Sequence, residues 1–80
     1  MMNPVKKIRL DKELSRNELA KLLDANRESI SNVERGECSV SICLTIFKKM
    51  SLQFEEVNDG ILLRDYKEWL KEKKGLNIDL

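Results

Sequence analysis

Apolar residues recur along this chain at intervals of three and four, the spacing of helices with one buried face. Val5 and Ile8 start the pattern, and Leu19, Leu22 and Leu23 continue it. Ile30 and Val33 follow, then Ile42, Cys43, Ile46, Phe47 and Met50, and finally Leu62, Tyr66, Trp69 and Leu70 flanked by Ile61. Start signals precede the groups. Asn3-Pro4 supplies an N-cap with proline at the first helical position, opening a helix to about Asp11 or Lys12. Ser15 with Glu18 three residues later is a capping box, for a helix to Leu23. Asn26 caps a third helix to about Glu34, and Gly36 stands where a helix ends in the left-handed conformation. Ser39 or Ser41 caps a fourth, running to about Met50. A short helix is expected around Phe54–Val57, then a turn at Asn58-Asp59-Gly60, then a last helix from Ile61 to about Lys74, stopped by Gly75. Leu76 to Leu80 alternates apolar and polar and reads as a docked or frayed tail.

Eighty residues, 41% apolar and 36% charged with three Gly and one Pro, suit one small helical domain. No apolar run approaches the roughly 20 residues of a membrane span. The N-terminal segment has no apolar signal region, so the expected location is the cytoplasm. The net charge of +1 argues weakly against a nucleic-acid binder until it is divided by position. Residues 1–50 carry ten Lys or Arg against seven Asp or Glu, and residues 51–80 carry five against seven. The basic excess therefore lies in the N-terminal part, and affinity for DNA depends on the face presented rather than the total.

The chain has no histidine, which removes the commonest general base and the commonest metal ligand. Cys38 and Cys43 form neither C-x-x-C nor a four-ligand zinc pattern, and two reduced thiols are the expected state. A disulfide or thiol sensor is the lesser alternative. The carboxylates are scattered over helix surfaces. No enzyme, metal or cofactor is expected.

Leu14 to Gly36 holds two short amphipathic patterns, each with its own start signal, separated by about four residues. Asp24-Ala25-Asn26 is too short for a long antiparallel hairpin and favours a steep crossing, for which Ala20 leaves room under Ile30. With Ile30 and Val33 inward, Arg27, Glu28, Ser31 and Asn32 point outward. Arg and Asn are the side chains that bond guanine and adenine edges in pairs.

Three segments, I-R-L-D-K-E-L-S-R-N-E-L-A-K-L-L, N-R-E-S-I-S-N-V-E-R-G and F-K-K-M-S-L-Q-F-E-E-V, together resemble the Cro and phage-repressor type of helix-turn-helix domain. The resemblance spans Ile8 to Val57. It implies an all-α, five-helix lambda-repressor-like domain over residues 4–58, with an added C-terminal amphipathic helix at 59–75 and a tail at 76–80. It implies base reading by Arg27, Glu28, Ser31 and Asn32, and phosphate contacts by Ser15, Arg16, Asn26 and Arg35. It also implies an ion pair between Arg9 and Glu34. Two departures stand out: Asp24 occupies the turn position usually held by glycine, and the loop after Gly36 is shorter and lacks proline. Glu28 places a negative charge on the reading face, either to accept from cytosine or to hold Arg27.

The stripe Leu62, Tyr66, Trp69 and Leu70 leaves two readings open. It packs back onto its own domain, or it forms a homodimer interface rich in aromatic anchors. The partners expected are double-stranded DNA and a second copy, with a toxin or anti-repressor as a further protein partner. The resemblance covers phage or mobile-element repressors, restriction–modification controllers and antitoxins alike. The function it implies is a homodimeric repressor on a palindromic operator. The alternative is an antitoxin or adaptor acting through protein contacts.

Overall fold

Five helices account for most of the computed structural model, which describes residues 1–74: α1 (Pro4–Asp11), α2 (Arg16–Leu22), α3 (Arg27–Arg35), α4 (Val40–Gln53) and α5 (Asp59–Lys74). No strand occurs among the described residues. Gly75 and the tail at 76–80 lie outside them.

The start signals act as caps. The Asn3 side chain accepts from the backbone N–H groups of Val5 and Lys6. Ser15 Oγ accepts from Glu18 N while Glu18 Oε1 accepts from Ser15 N, completing the capping box. The bonds from Ser15 hold the Glu18 carboxyl below its ordinary range. Asn26 caps α3 through Glu28 N, and of the two serines before α4 it is Ser39 that caps, through Ile42 N.

The helix ends are equally regular. After α1, Glu13 N bonds Leu10 O and Leu14 N bonds Arg9 O; after α2, Asp24 N bonds Lys21 O and Ala25 N bonds Ala20 O. After α3, Gly36 N bonds Val33 O and Glu37 N bonds Asn32 O. Each is a Schellman pair closing orphan carbonyls around a left-handed residue. The φ values are +57° at Glu13, +51° at Asp24 and +75° at Gly36. Asp24 therefore adopts the conformation its position demands without glycine. Glu13 does the same with no signal in its residue type.

One core joins all five helices: Val5 from α1, Leu19, Ala20 and Leu23 from α2 and its cap, Ile30 and Val33 from α3, four residues of α4, Phe54, and Leu62, Tyr66 and Trp69 from α5. The boundary expected at 58/59 is thus no boundary in packing. α5 lies against both α1 and α4, and the Tyr66 ring meets Phe47 edge-on at 5.1 Å.

Two expectations are corrected here. Phe54–Val57 is not a helix; α4 runs on to Gln53, and Phe54 turns extended (φ −118°, ψ 111°) to bury its ring. Only Val57 N→Phe54 O, at 3.0 Å, remains as a single turn, and one turn cannot repay helix nucleation. Lys12 Nζ lies 4.5 Å above the Phe54 ring and pairs with Glu56, holding the segment against α1. That pairing keeps the Glu56 carboxyl below its ordinary range. Asn58-Asp59-Gly60 is the start of α5 rather than a free turn, because Asn58 Oδ1 accepts from Ile61 N at 3.0 Å in the manner of an N-cap.

No helix of the described residues is long and apolar enough to cross a membrane.

Candidate nucleic-acid interface

The surface of α3 is set by its register. Ile30, Val33 and Glu34 are buried, so Glu28, Ser31 and Arg35, spaced by three and four, run along the opposite side. Arg27 and Glu28 are exposed, while Ser31 and Asn32 are half-buried. All four residues expected to read bases therefore lie on one continuous surface. No ion pair joins Arg27 to Glu28 among the described residues.

Arg35, expected at a phosphate, stands in the middle of this surface. Its Nη2 donates to Asn32 Oδ1 and its Nε donates to Glu37 Oε1 at 3.1 Å. The bond to Asn32 matters for chemistry. An amide reading adenine must accept through its oxygen and donate through its nitrogen. A carbonyl oxygen has two lone pairs, so Asn32 Oδ1 retains one after Arg35 has used the other. Arg35 thus fixes which way the Asn32 amide faces. Register alone foretells the proximity of the two side chains, but not that the guanidinium turns back along the helix.

Behind the surface lies a buried charge cluster. The Glu34 carboxylate, its side chain 1% exposed, receives Arg9 Nε at 2.7 Å and Arg9 Nη2 at 3.1 Å. Arg9 Nη1 also donates to Leu14 O at 2.9 Å. One arginine therefore ties α1, the α1–α2 joint and α3 together. The structure brings Arg9 and Glu34 into contact as the resemblance implied. It adds a third member that sequence reasoning missed: Arg16 Nε donates to Glu34 Oε1 at 3.2 Å. Two guanidinium groups share one carboxylate, leaving an uncompensated positive charge. Arg16 is the outer of the two, its side chain 40% exposed, and its Nη groups bond no described residue. Glu34 positions Arg16 at the start of α2 and leaves its tip available to an anion.

Between α2 and α3 a shallow hollow of about 470 Å³ is lined by Asn17, Ala20, Lys21, Asp24, Ala25 and Arg27. Asn17 and Lys21 enlarge the set of polar residues beyond those expected; their i, i+4 spacing on the outer side of α2 was the available signal. Lys49 Nζ of α4 donates to Asp24 O at 2.9 Å, holding the joint that sets how α2 meets α3. Ser15 and Asn26 are exposed, but each side-chain oxygen is engaged as a cap, so what they offer is a helix end with free N–H groups.

The C-terminal end of α3 is held by two side chains at one carbonyl. Val33 O accepts from Asn3 Nδ2 at 3.1 Å and from Tyr66 Oη at 2.7 Å. Asn3 Nδ2 also reaches Glu34 O at 3.1 Å. The Tyr66 phenol is pushed well above its ordinary range by burial, with the Cys43 thiol adding to the shift. Trp69 and Leu70 lie against Gly36, where an added Cβ would meet Leu70 Cδ2 at 2.9 Å and Trp69 Cζ3 at 3.0 Å.

This placement corrects the interface reading of the aromatic stripe. Leu62, Tyr66 and Trp69 are buried in the chain's own core and Leu70 is half-buried against it. The physical reason is the position of α5 across the end of α3, where a phenol and an indole satisfy a carbonyl and cover a glycine. Leu62, Tyr66 and Trp69 each keep less than a tenth of their surface exposed.

No family model matches the chain, and neither does any curated protein or solved structure.

Proposed function

We propose that this protein is a sequence-specific DNA-binding regulator of transcription, a cytoplasmic homodimeric repressor acting on a palindromic operator. In this reading α2 and α3 are the helix-turn-helix of a lambda-repressor-like domain, with α3 entering the major groove. Arg27 and Asn32 bond base edges, Glu28 accepts from cytosine N4, and Ser31 contacts either strand. Arg16, Arg35 and the capped starts of α2 and α3 at Ser15 and Asn26 meet phosphates.

The observation that carries the reading is the α3 surface: polar and open along its length, bordered by Arg16, and fixed from behind by a buried carboxylate and three helix joints. A helix built only to support a core has no need of such backing. Two copies are required because one short helix reads only a few base pairs, and palindromic half-sites lie about 34 Å apart. With the aromatic stripe inside the fold, the second copy must use another surface. Burial of that stripe also takes away the feature on which an adaptor or antitoxin reading rested.

Selection from a random duplex library, followed by titration of the winner across a salt series, tests the proposal. The expected result is a palindromic sequence bound with steep salt dependence. Arg27→Ala is expected to lower affinity for that sequence by ~1–3 kcal/mol and to relax preference at one base pair. No enriched sequence, with weak binding to every duplex, would overturn it.

A further inference from the structure

In a hydrophobic staple the residue before an N-cap (N′) and the fourth residue after that cap (N4) pack together and fix the angle of entry into the helix. Four consecutive helices carry core-packed residues at both positions, the last being α5, where Val57 and Leu62 flank the Asn58 cap. For α2, capped by Ser15, the pair is Leu14 and Leu19; for α3, capped by Asn26, it is Ala25 and Ile30. For α4, capped by Ser39, the same two positions hold Cys38 and Cys43. In every case the N4 residue is buried and the N′ residue is half-buried against the core. The third staple is made of two thiols.

The surroundings give the two sulfurs different characters. Cys38 is half-buried in the loop, between the Glu37 N–H that closes the end of α3 and the Ser39 cap of α4. Cys43 is buried. Burial pushes its thiol up, and the charge of the neighbouring Cys38 contributes to the same shift. A small oxidant therefore meets Cys38 first, and Cys43 waits behind it. Both are free thiols in this structure.

We propose that Cys38 and Cys43 are a reversible oxidation site, forming an intramolecular disulfide that closes the α4 staple covalently when the protein meets a peroxide. The sulfur of Cys38, as thiolate, attacks one peroxide oxygen. The O–O bond breaks, the distal oxygen leaves as water after protonation, and Cys38 becomes a sulfenic acid. The sulfur of Cys43 then attacks the Cys38 sulfur and gives up its proton. The S–S bond forms as the S–O bond breaks, and the oxygen leaves as a second water. The two thiols lose two electrons and the peroxide gains them. A dithiol reverses the reaction. The site is independent of the DNA-binding reading, because it rests on the staple register and burial alone.

Reduced, purified full-length protein treated with a modest excess of hydrogen peroxide and then digested with trypsin provides the test. No Lys or Arg lies between residues 36 and 47, so one peptide, 36–48, carries both cysteines. The expected product is that peptide lighter by two hydrogens, refractory to alkylation until dithiothreitol is added, from a protein that melts higher than its reduced form. Cys43→Ala keeps the staple apolar and is expected to halt Cys38 at the sulfenic acid, trapped as a dimedone adduct. Cys38→Ala is expected to leave Cys43 unoxidised in the folded protein. Sulfinic or sulfonic acid at Cys38 in the unsubstituted chain would overturn the proposal. So would cross-linked pairs of chains, thiols that both stay alkylatable, or an oxidised form that melts lower.

Discussion

α3 and α5 carry the two most distinctive patterns in the chain, and the fold uses them in opposite ways. α3 buries Ile30, Val33 and Glu34 and leaves a polar surface open; α5 turns Leu62, Tyr66 and Trp69 inward and leaves outside mostly charged residues with Ile61. From sequence, α3 reads as a surface for a partner, while the α5 stripe reads equally as a partner surface or as part of its own core. The difference lies in what each side chain can satisfy within the chain itself. Tyr66 finds a carbonyl and Trp69 finds a bare glycine, both at the end of α3. Arg27 and Glu28 find no side-chain partner among the described residues. An amphipathic stripe becomes an interface only when its own domain offers it no seat, and here α5 is seated on α1 and α4, with Tyr66 and Trp69 closing the end of α3.

The largest loss is expected at Glu34, behind the α3 surface. Replacing it with alanine strands Arg9 in the interior without its counter-charge and frees Arg16, and a loss of about 3–5 kcal/mol is expected from such one-sided removal. For a domain of this size each kcal/mol is worth about 4–8 °C in Tm, so thermal melting followed by circular dichroism reads the effect directly. Trp69→Ala is expected to cost a similar ~3–5 kcal/mol by emptying the space over Gly36, with mass in solution measured by light scattering unchanged. A shift toward lighter species at constant stability would return the stripe to an interface. Gly36→Ala attacks the same seat from the other side. It combines left-handed strain with a collision against Leu70 and Trp69, and about 2–3 kcal/mol is expected in a urea titration.

The smallest effect expected is on the pH dependence of stability. The folded state raises the ionisation of Tyr66, so neutral phenol is favoured by folding. The resulting stability is fully present below the unfolded value of about 10 and is lost as pH rises beyond it. Tyr66→Phe should flatten that alkaline decline while costing about 1 kcal/mol at neutral pH. The cost is modest because Asn3 Nδ2 and Gly36 N still serve Val33 O. As the chain's one tyrosine, Tyr66 can be followed by tyrosinate absorbance without interference.

The features legible in the sequence were those written in neighbouring residues. Asn3-Pro4, Ser15 with Glu18, Asn26, Ser39 and Gly36 all act within one turn of themselves, and each marks a helix limit in the structure. The outward set on α3 follows from helical period in the same way. What stayed hidden depends on residues far apart in the chain. Asn3 reads as a cap, yet its amide also reaches across 30 residues to Val33 O. Arg16 reads as a free cation, yet Glu34 holds it from 18 residues away. Phe54–Val57 has a helical composition, but the ring of Phe54 gains more from the core and from Lys12 than a single further turn could return. Glu13 offered no signal at all, since nothing about a glutamate announces a left-handed backbone.

The three successive helix joints have a consequence for how the chain comes to be folded. Each is written in some eight consecutive residues, from the last turn of one helix through a left-handed residue to the cap of the next. Contacts this local form in microseconds or less, long before distant segments meet. On the ribosome, the directions of α2, α3 and α4 would be laid down joint by joint as each emerges. The α3 terminus would still lack its cover. That cover is α5, made last of the five, and until Tyr66 and Trp69 arrive the core that the earlier helices share stays open on one side.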